Sequence, residues 1–173
     1  MNARLIATIA VSFVLFAGCL VASAWKLGRL DPNILHLQLT FSEDAFRAVL
    51  EAWRPEGVAR FRSHFAWDYG TLASYAVFGS TAGRWVVEQV RTTGPAAMPL
   101  PWLLAVAATA DFAENLLHLR FIGAASGELA PVLYVLAGTC ASTKWALLLG
   151  WPLLAAFLLL RPGQAVPIRP TTR

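Results

Sequence analysis

Residues 101–118 read PWLLAVAATADFAENLLH, an apolar stretch of near-spanning length whose strongly polar members are Asp111, Glu114, Asn115 and His118. Positions three, four and seven apart share one face of a helix. These four residues therefore form a single stripe on a helix that is apolar elsewhere. Ionisable groups are costly in hydrocarbon, so such a stripe must face a partner helix or a wet cavity. Whatever the chain folds into has to enclose that face.

The rest of the chain is apolar enough for the hydrocarbon to be that of a membrane. Hydrophobic residues make up 57% of its 173 residues and charged residues 14%, where a soluble domain carries about 25% charged. Stretches at about 5–25, 65–83, 100–119 and 130–160 approach or exceed the ~20 residues needed to cross a bilayer. The last is longer than one span requires. Its core is 142–160, and the preceding part is either a tilted extension or a segment bent near Gly138, with a kink expected at Pro152. The expected fold is all-α: a polytopic membrane protein forming a four-transmembrane-helix up-down bundle. It comprises one domain over 1–160, followed by a disordered tail at 161–173.

Residues 30–64 form the one long connection. Thr40 and Glu43 have capping-box spacing, and Phe46, Val49, Leu50 and Trp53 fall on one face of a short amphipathic helix at about 42–53. Glu43, Asp44, Arg47 and Glu51 make its solvated side, and Pro55 with Gly57 ends it. Such a helix suits the membrane interface or a cap over the bundle mouth, and equally a helix packed on its own loop.

The N-terminus carries processing signals. Ala22-Ser23-Ala24 resembles a signal-peptidase site and Leu15 to Cys19 a lipobox, yet the apolar run has spanning length, so a retained first helix is expected. The basic residues do not orient the chain. Arg4, Arg84, Arg91, Arg161, Arg169 and Arg173 face one side, and Lys26, Arg29, Arg47, Arg54, Arg60, Arg62 and Arg120 the other. The signal-like start favours a cytoplasmic N-terminus. A net charge of +4 without a basic stripe excludes nucleic acid and fits anionic headgroups at helix ends. Cys19 and Cys140 both lie in apolar spans and imply no disulfide framework. No P-loop, dinucleotide fingerprint, HExxH or GxSxG occurs, which removes the usual nucleotide and hydrolase readings.

The candidate site follows from topology. Asp68 enters the second span from the long-loop side, the third span returns there with Asp111, Glu114, Asn115 and His118, and Lys144 begins the core of the fourth. All these ionisable residues thus gather in one half of the bilayer. Three acids face one ammonium, so Lys144 pairs with a carboxylate and protons are shared among the rest. The cluster serves as helix-to-helix glue, as a pocket for a lipid-like or amphiphilic small molecule, or as an intramembrane acid/base site with Glu114 or Asp111 as the acid and His118 as relay. The pocket is the leading reading, with membrane lipids and a membrane-protein partner as the other associations, and the balance leans away from an enzyme. A metal site built from His64, Asp68, Asp111, Glu114 and His118 has suitable ligand types. The Lys144 ammonium would repel the ion, so neither metal nor cofactor is expected. Gly70/Ser74 and Ala76/Ser80 are small-residue pairs suited to close helix packing. Tyr69, Tyr75 and Tyr134 are candidate pocket linings, and Trp25, Trp67, Trp85, Trp102 and Trp151 sit near span ends as interface anchors.

Three motifs carry a resemblance: Asp68-Tyr69-Gly70, Asp111-Phe112-Ala113-Glu114-Asn115 and Lys144-Trp145. Together they resemble a group of small bacterial four-helix membrane proteins with no assigned activity. The resemblance covers most of the chain and implies a multi-pass protein of the bacterial inner membrane. A looser, fold-level likeness is to the sterol-isomerase and sigma-2-receptor superfamily, also four-helical with intramembrane acids, from which no residue role carries over.

Overall fold

The computed structural model describes residues 3–90 and 97–161, and everything below concerns these. It is all-helical: α1 Ala3–Leu27, α2 Ile34–Gln38, α3 Glu43–Val90, α4 Leu100–Gly123 and α5 Pro131–Leu160. Two of them, α1 and α5, are long and apolar enough to cross a membrane. The tail expected to be disordered lies outside the described residues, apart from Arg161.

The amphipathic segment in the long connection is present, but it is not a separate helix followed by a loop. It is the first arm of α3, which turns at a single non-helical residue, Arg54 (φ 56, ψ 175), and resumes at once with Pro55. Proline lacks the N–H that a first helical turn leaves unpaired anyway, so Pro55 starts the second arm instead of ending the first. Gly57 does not break the helix either. It lets the elbow close, since a Cβ there would come 2.7 Å from the Trp53 Cβ. The second arm therefore begins well before residue 65. On the first arm Phe46, Val49 and Trp53 are buried and Leu50 is half-buried, so the apolar face lies where it was expected.

The expected capping box does not form. The Thr40 hydroxyl donates to the Leu37 carbonyl (2.7 Å), and Ser42 caps α3 by accepting from the Ala45 N–H (3.3 Å). Glu43 instead reaches across the fold. Its carboxylate accepts from the Gly127 N–H (2.9 Å) and from Arg47 Nε (2.6 Å), while Arg47 Nη2 donates to the Ala124 carbonyl (3.3 Å). The first arm is thereby tied to the α4–α5 connection.

Helix α2 had no expectation attached to it. Asn33 caps it by accepting from the His36 N–H, and it inserts Leu37 and Gln38 between α3 and α5. No bend was needed near Gly138: α5 runs unbroken through Gly138 and Pro152. Gly138 is the point where the segment after α2 crosses α5, and a Cβ there would lie 2.6 Å from the Thr40 carbonyl oxygen.

The long helices do not form a symmetric four-helix bundle. Helices α3, α4 and α5 all contact one another, whereas α1 packs along α3 alone. Only 6% of the most apolar window of α1 is buried. Gly70 lies under Cys19 of α1, as its small-residue pairing with Ser74 anticipated. The closest approach between α3 and α4 comes from a different pair, Gly79 and Gly83. A Cβ on Gly83 would sit 2.8 Å from the Pro101 Cα and 2.9 Å from the Leu100 carbonyl oxygen. Two apolar clusters result. One holds Tyr75, Ala82, Leu100, Leu104, Ala107 and Trp151; the other, towards the arm and α2, holds Leu37, Phe46, Phe61, Phe121 and Tyr134. The polar stripe of α4 lies between them.

Backbone atoms cannot move aside as a flexible side chain can, so Gly83→Ala is expected to destabilise the protein by about 1–3 kcal/mol. Gly150→Ala, with nothing within 4 Å of its Cβ, should be neutral or gain up to about 1 kcal/mol from helix propensity. Thermal unfolding of the two variants in detergent checks the contrast. The hydrogen bond from Gly127 and the Arg47 guanidinium hold the Glu43 carboxyl below its ordinary value of 4.5. Stability from this clamp is present in full above pH 4.5 and is lost as pH falls through the lower folded value. Glu43→Gln should therefore flatten the acid-side fall in unfolding temperature, measured between about pH 6 and 3.

Candidate functional site: a buried polar layer

The stripe on α4 is buried along its whole length. Asp111 is 5% exposed, Glu114 0%, Asn115 1% and His118 2%, and Lys144 of α5 is 3% exposed. Helical periodicity brings the four α4 residues to one face, and that face is enclosed by the second arm of α3 and by α5.

Lys144 is the hub. Its ammonium donates to Asp111 Oδ1 (2.9 Å) and stands 2.6 Å from Glu114 Oε2, the latter an ion pair by proximity, off the directional geometry of a hydrogen bond. The other Asp111 oxygen, Oδ2, accepts from the Tyr75 hydroxyl of α3 (3.0 Å). Asn115 Nδ2 donates to Oδ2 of Asp68, also on α3, at 2.6 Å. Asp68 is the half-buried member of the cluster. All six cluster residues named from the sequence thus belong to one layer. Lys144 bridges α4 to α5, while Tyr75 and Asp68 bridge α3 to α4.

One part of the layer is left unmatched. Glu114 Oε1 and His118 Nδ1 face each other at 3.7 Å, too far for a hydrogen bond, and neither has any hydrogen-bond partner. Above them the His118 ring stacks on Phe46 of the α3 arm (centroids 5.4 Å apart, planes at 29°). Phe61, Phe121 and Tyr134 continue this aromatic roof, with Phe121 and Tyr134 stacked at 4.1 Å.

The metal-ligand set is not assembled. His64 turns its Nδ1 to the Phe61 carbonyl of its own helix and packs against Phe61 and Phe65. Among the described residues, no three His, Cys, Asp or Glu side chains are grouped to hold a metal ion. The cation already among the carboxylates is Lys144.

Tyr75 is the member that sequence reasoning left undecided. It falls seven residues after Asp68, on the same helical face, and that spacing was the available signal. The link between Trp145 Nε1 and Gln38 Oε1 (3.1 Å), which fastens α2 to α5 one residue from Lys144, had no such signal. Three surface grooves occur elsewhere. They lie beside the α1–α2 connection, at the α3 elbow, and between α1 and the Gly70/Ala73/Ser74/Val77 face of α3, and no cluster residue lines any of them.

No protein-family model matches the chain, and no curated protein or solved structure matches it either. The functional argument therefore rests on the site itself.

Removing the hub should be costly. Lys144→Met leaves two buried carboxylates without their cation and is expected to cost about 3–5 kcal/mol. Adding Asp111→Asn and Glu114→Gln to the same protein removes the stranded charges and should recover most of that loss. Unfolding of the single and triple variants in detergent measures the difference, and equal stability of the two would refute the hub.

Proposed function

We propose that the chain is an integral membrane protein with four spans, formed by α1, the second arm of α3, α4 and α5, and that its polar layer binds the headgroup of a lipid-like or amphiphilic small molecule. The span reading is supported by which residues face outward. What makes α4 less apolar than α1 or α5 is chiefly Asp111, Glu114, Asn115 and His118, all buried. Outward, α4 shows Trp102, Val106, Phe112 and Leu116, and the α3 arm shows Trp67 and Val77. A polar interior inside an apolar exterior is what a lipid solvent selects and water does not. On this reading the protein is multi-pass in a bacterial inner membrane, of the same kind as the small proteins sharing its Asp-Tyr-Gly, Asp-x-x-Glu-Asn and Lys-Trp motifs.

The observation that carries the binding reading is the facing pair Glu114 Oε1 and His118 Nδ1, buried and without partners. Native proteins leave few buried polar atoms unsatisfied. The Asp111–Lys144, Asp111–Tyr75 and Asn115–Asp68 links join the three helices, and Glu114 Oε1 and His118 Nδ1 take no part in them. A small polar group hydrogen-bonded to both atoms would account for them, and three acids against one ammonium favour a group that donates. A second reading is supported by the closure of the layer: its bonds join all three core helices, and the described grooves open elsewhere. There the protein is an accessory subunit and its polar layer holds helices in register for a protein partner.

Native mass spectrometry of the purified protein with its co-extracted lipids, wild type beside Glu114→Gln, separates the two. The binding reading expects a discrete adduct on the wild type that the variant loses. Bare protein in both spectra, with the variant less stable, would establish the accessory reading instead.

A further inference from the structure

At the elbow of α3 the two arms and the end of α4 border an open surface groove of about 640 Å³, lined by Leu50, Glu51, Arg54, Val58, Arg62 and Ile122, among others. We infer that this elbow groove is a binding site for the phosphate headgroup of an anionic phospholipid, held by Arg54 and Arg62 with the start of an acyl chain against Leu50, Val58 and Ile122.

Two independent observations lead there. The first is the state of the arginines. Both are exposed, and neither makes a hydrogen bond or ion pair among the described residues. Arg47, one arm-length away, is fully engaged with Glu43 and Ala124. Arg54 and Arg62 line the same groove, Arg54 at the elbow and Arg62 on the second arm, so that both guanidinium groups can reach one phosphate. Guanidinium is the side chain whose donor fork matches phosphate.

The second is the backbone of Arg54. It is the one positive-φ residue other than glycine among those described, and at φ 56, ψ 175 it lies at the edge of a region that glycine alone occupies easily. Glycine would make the same turn without strain. An arginine held there points to a use for its guanidinium. Pro55 fixes the turn from the other side, so the groove is built into the elbow. The lining also contains one carboxylate, Glu51, which sets a cost against any anion and leaves the two arginines to outweigh it.

The inference uses the four-span reading only to place the elbow at the headgroup level of the bilayer, where a basic side chain contributes about 1 kcal/mol towards an anionic lipid. The occupant's chemistry follows from the lining, which sets two arginines against one glutamate beside the apolar side chains of Leu50, Val58 and Ile122. A free phosphate ion would leave the apolar wall unused.

The test uses short-chain lipids added to the full-length protein in detergent, so it does not depend on the chain crossing a bilayer or on the polar layer binding anything. Dioctanoyl phosphatidylglycerol is expected to bind more tightly than dioctanoyl phosphatidylcholine by calorimetric titration. Arg54→Gly and Arg62→Gln should each reduce that preference about fivefold. Arg54→Gly should unfold at the same or a higher temperature than wild type, because glycine relieves the turn, so its weaker binding would not come from damage to the fold. Equal binding of the two lipids by the wild type overturns the proposal, as does an Arg54→Gly variant that keeps the full preference. Inorganic phosphate binding as tightly as phosphatidylglycerol would also overturn it, by showing an ion site with no role for lipid.

Discussion

The ammonium of Lys144 between the carboxylates of Asp111 and Glu114 is the interaction on which the arrangement of the other elements depends. None of the three is more than 5% exposed, and a charge at such depth survives only with its partner in place. The distances of 2.9 and 2.6 Å leave little freedom in how α5 sits on α4. Once α4 and α5 are in register, the Asp111 oxygen not used by Lys144 is the acceptor that positions Tyr75, and through Tyr75 the second arm of α3. Apolar packing alone would not choose this register, since Leu and Ala faces slide over one another at small cost. The polar layer supplies direction, and the clusters on either side of it supply cohesion.

The two clusters differ in character, and the difference bears on function. On one side of the layer the helices meet through Gly79, Gly83, Ala107 and Ala108, residues that bring backbones together and leave no room for change. On the other side, the layer is roofed by rings: Phe46, Phe61, Phe121, Tyr134 and His118 itself. Part of that roof belongs to the α3 arm, which is joined to the rest of its helix by the strained turn at Arg54 and held to the α4–α5 connection by Glu43 and Arg47. The unmatched atoms of Glu114 and His118 thus lie under the aromatic roof, part of which the α3 arm supplies.

How much of this was legible in the sequence depended on the scale of each feature. The stripe on α4 was readable because four polar residues on an apolar background fix both the periodicity and the face. Lys144 was readable as their partner by counting charge. Tyr75 was half readable: its spacing from Asp68 places it on the right face, but a tyrosine within an apolar span is equally at home in a core. The single turn of α2 was not readable, since five residues carry no period, and Gln38 meets Trp145 only once the chain has folded back over α5. The peripheral position of α1 was hidden for a related reason. A helix apolar all round names no preferred neighbour, so an up-down bundle left its packing partner open, and the structure places it against α3 alone.

The elbow shows how one residue pair can be read in two opposite ways. Pro55 and Gly57 are breakers by composition, and a chain of such residues after an amphipathic helix reads as its end. In the structure the same two residues begin the next arm. Proline occupies a first-turn position where its missing N–H costs nothing, and glycine lets Trp53 close over the bend. The strain that neither absorbs falls on Arg54, between the two arms. A glycine at position 54 would have made this turn easily, and the chain has an arginine there instead. Strain kept at one position while its neighbours are adapted to the turn is the observation from which the proposed use of Arg54 is argued. Within the polar layer the comparable observation is the facing pair Glu114 Oε1 and His118 Nδ1, buried and joined to nothing. The two proposed sites share no residue: one is marked by a strained backbone, the other by buried polar atoms without a partner.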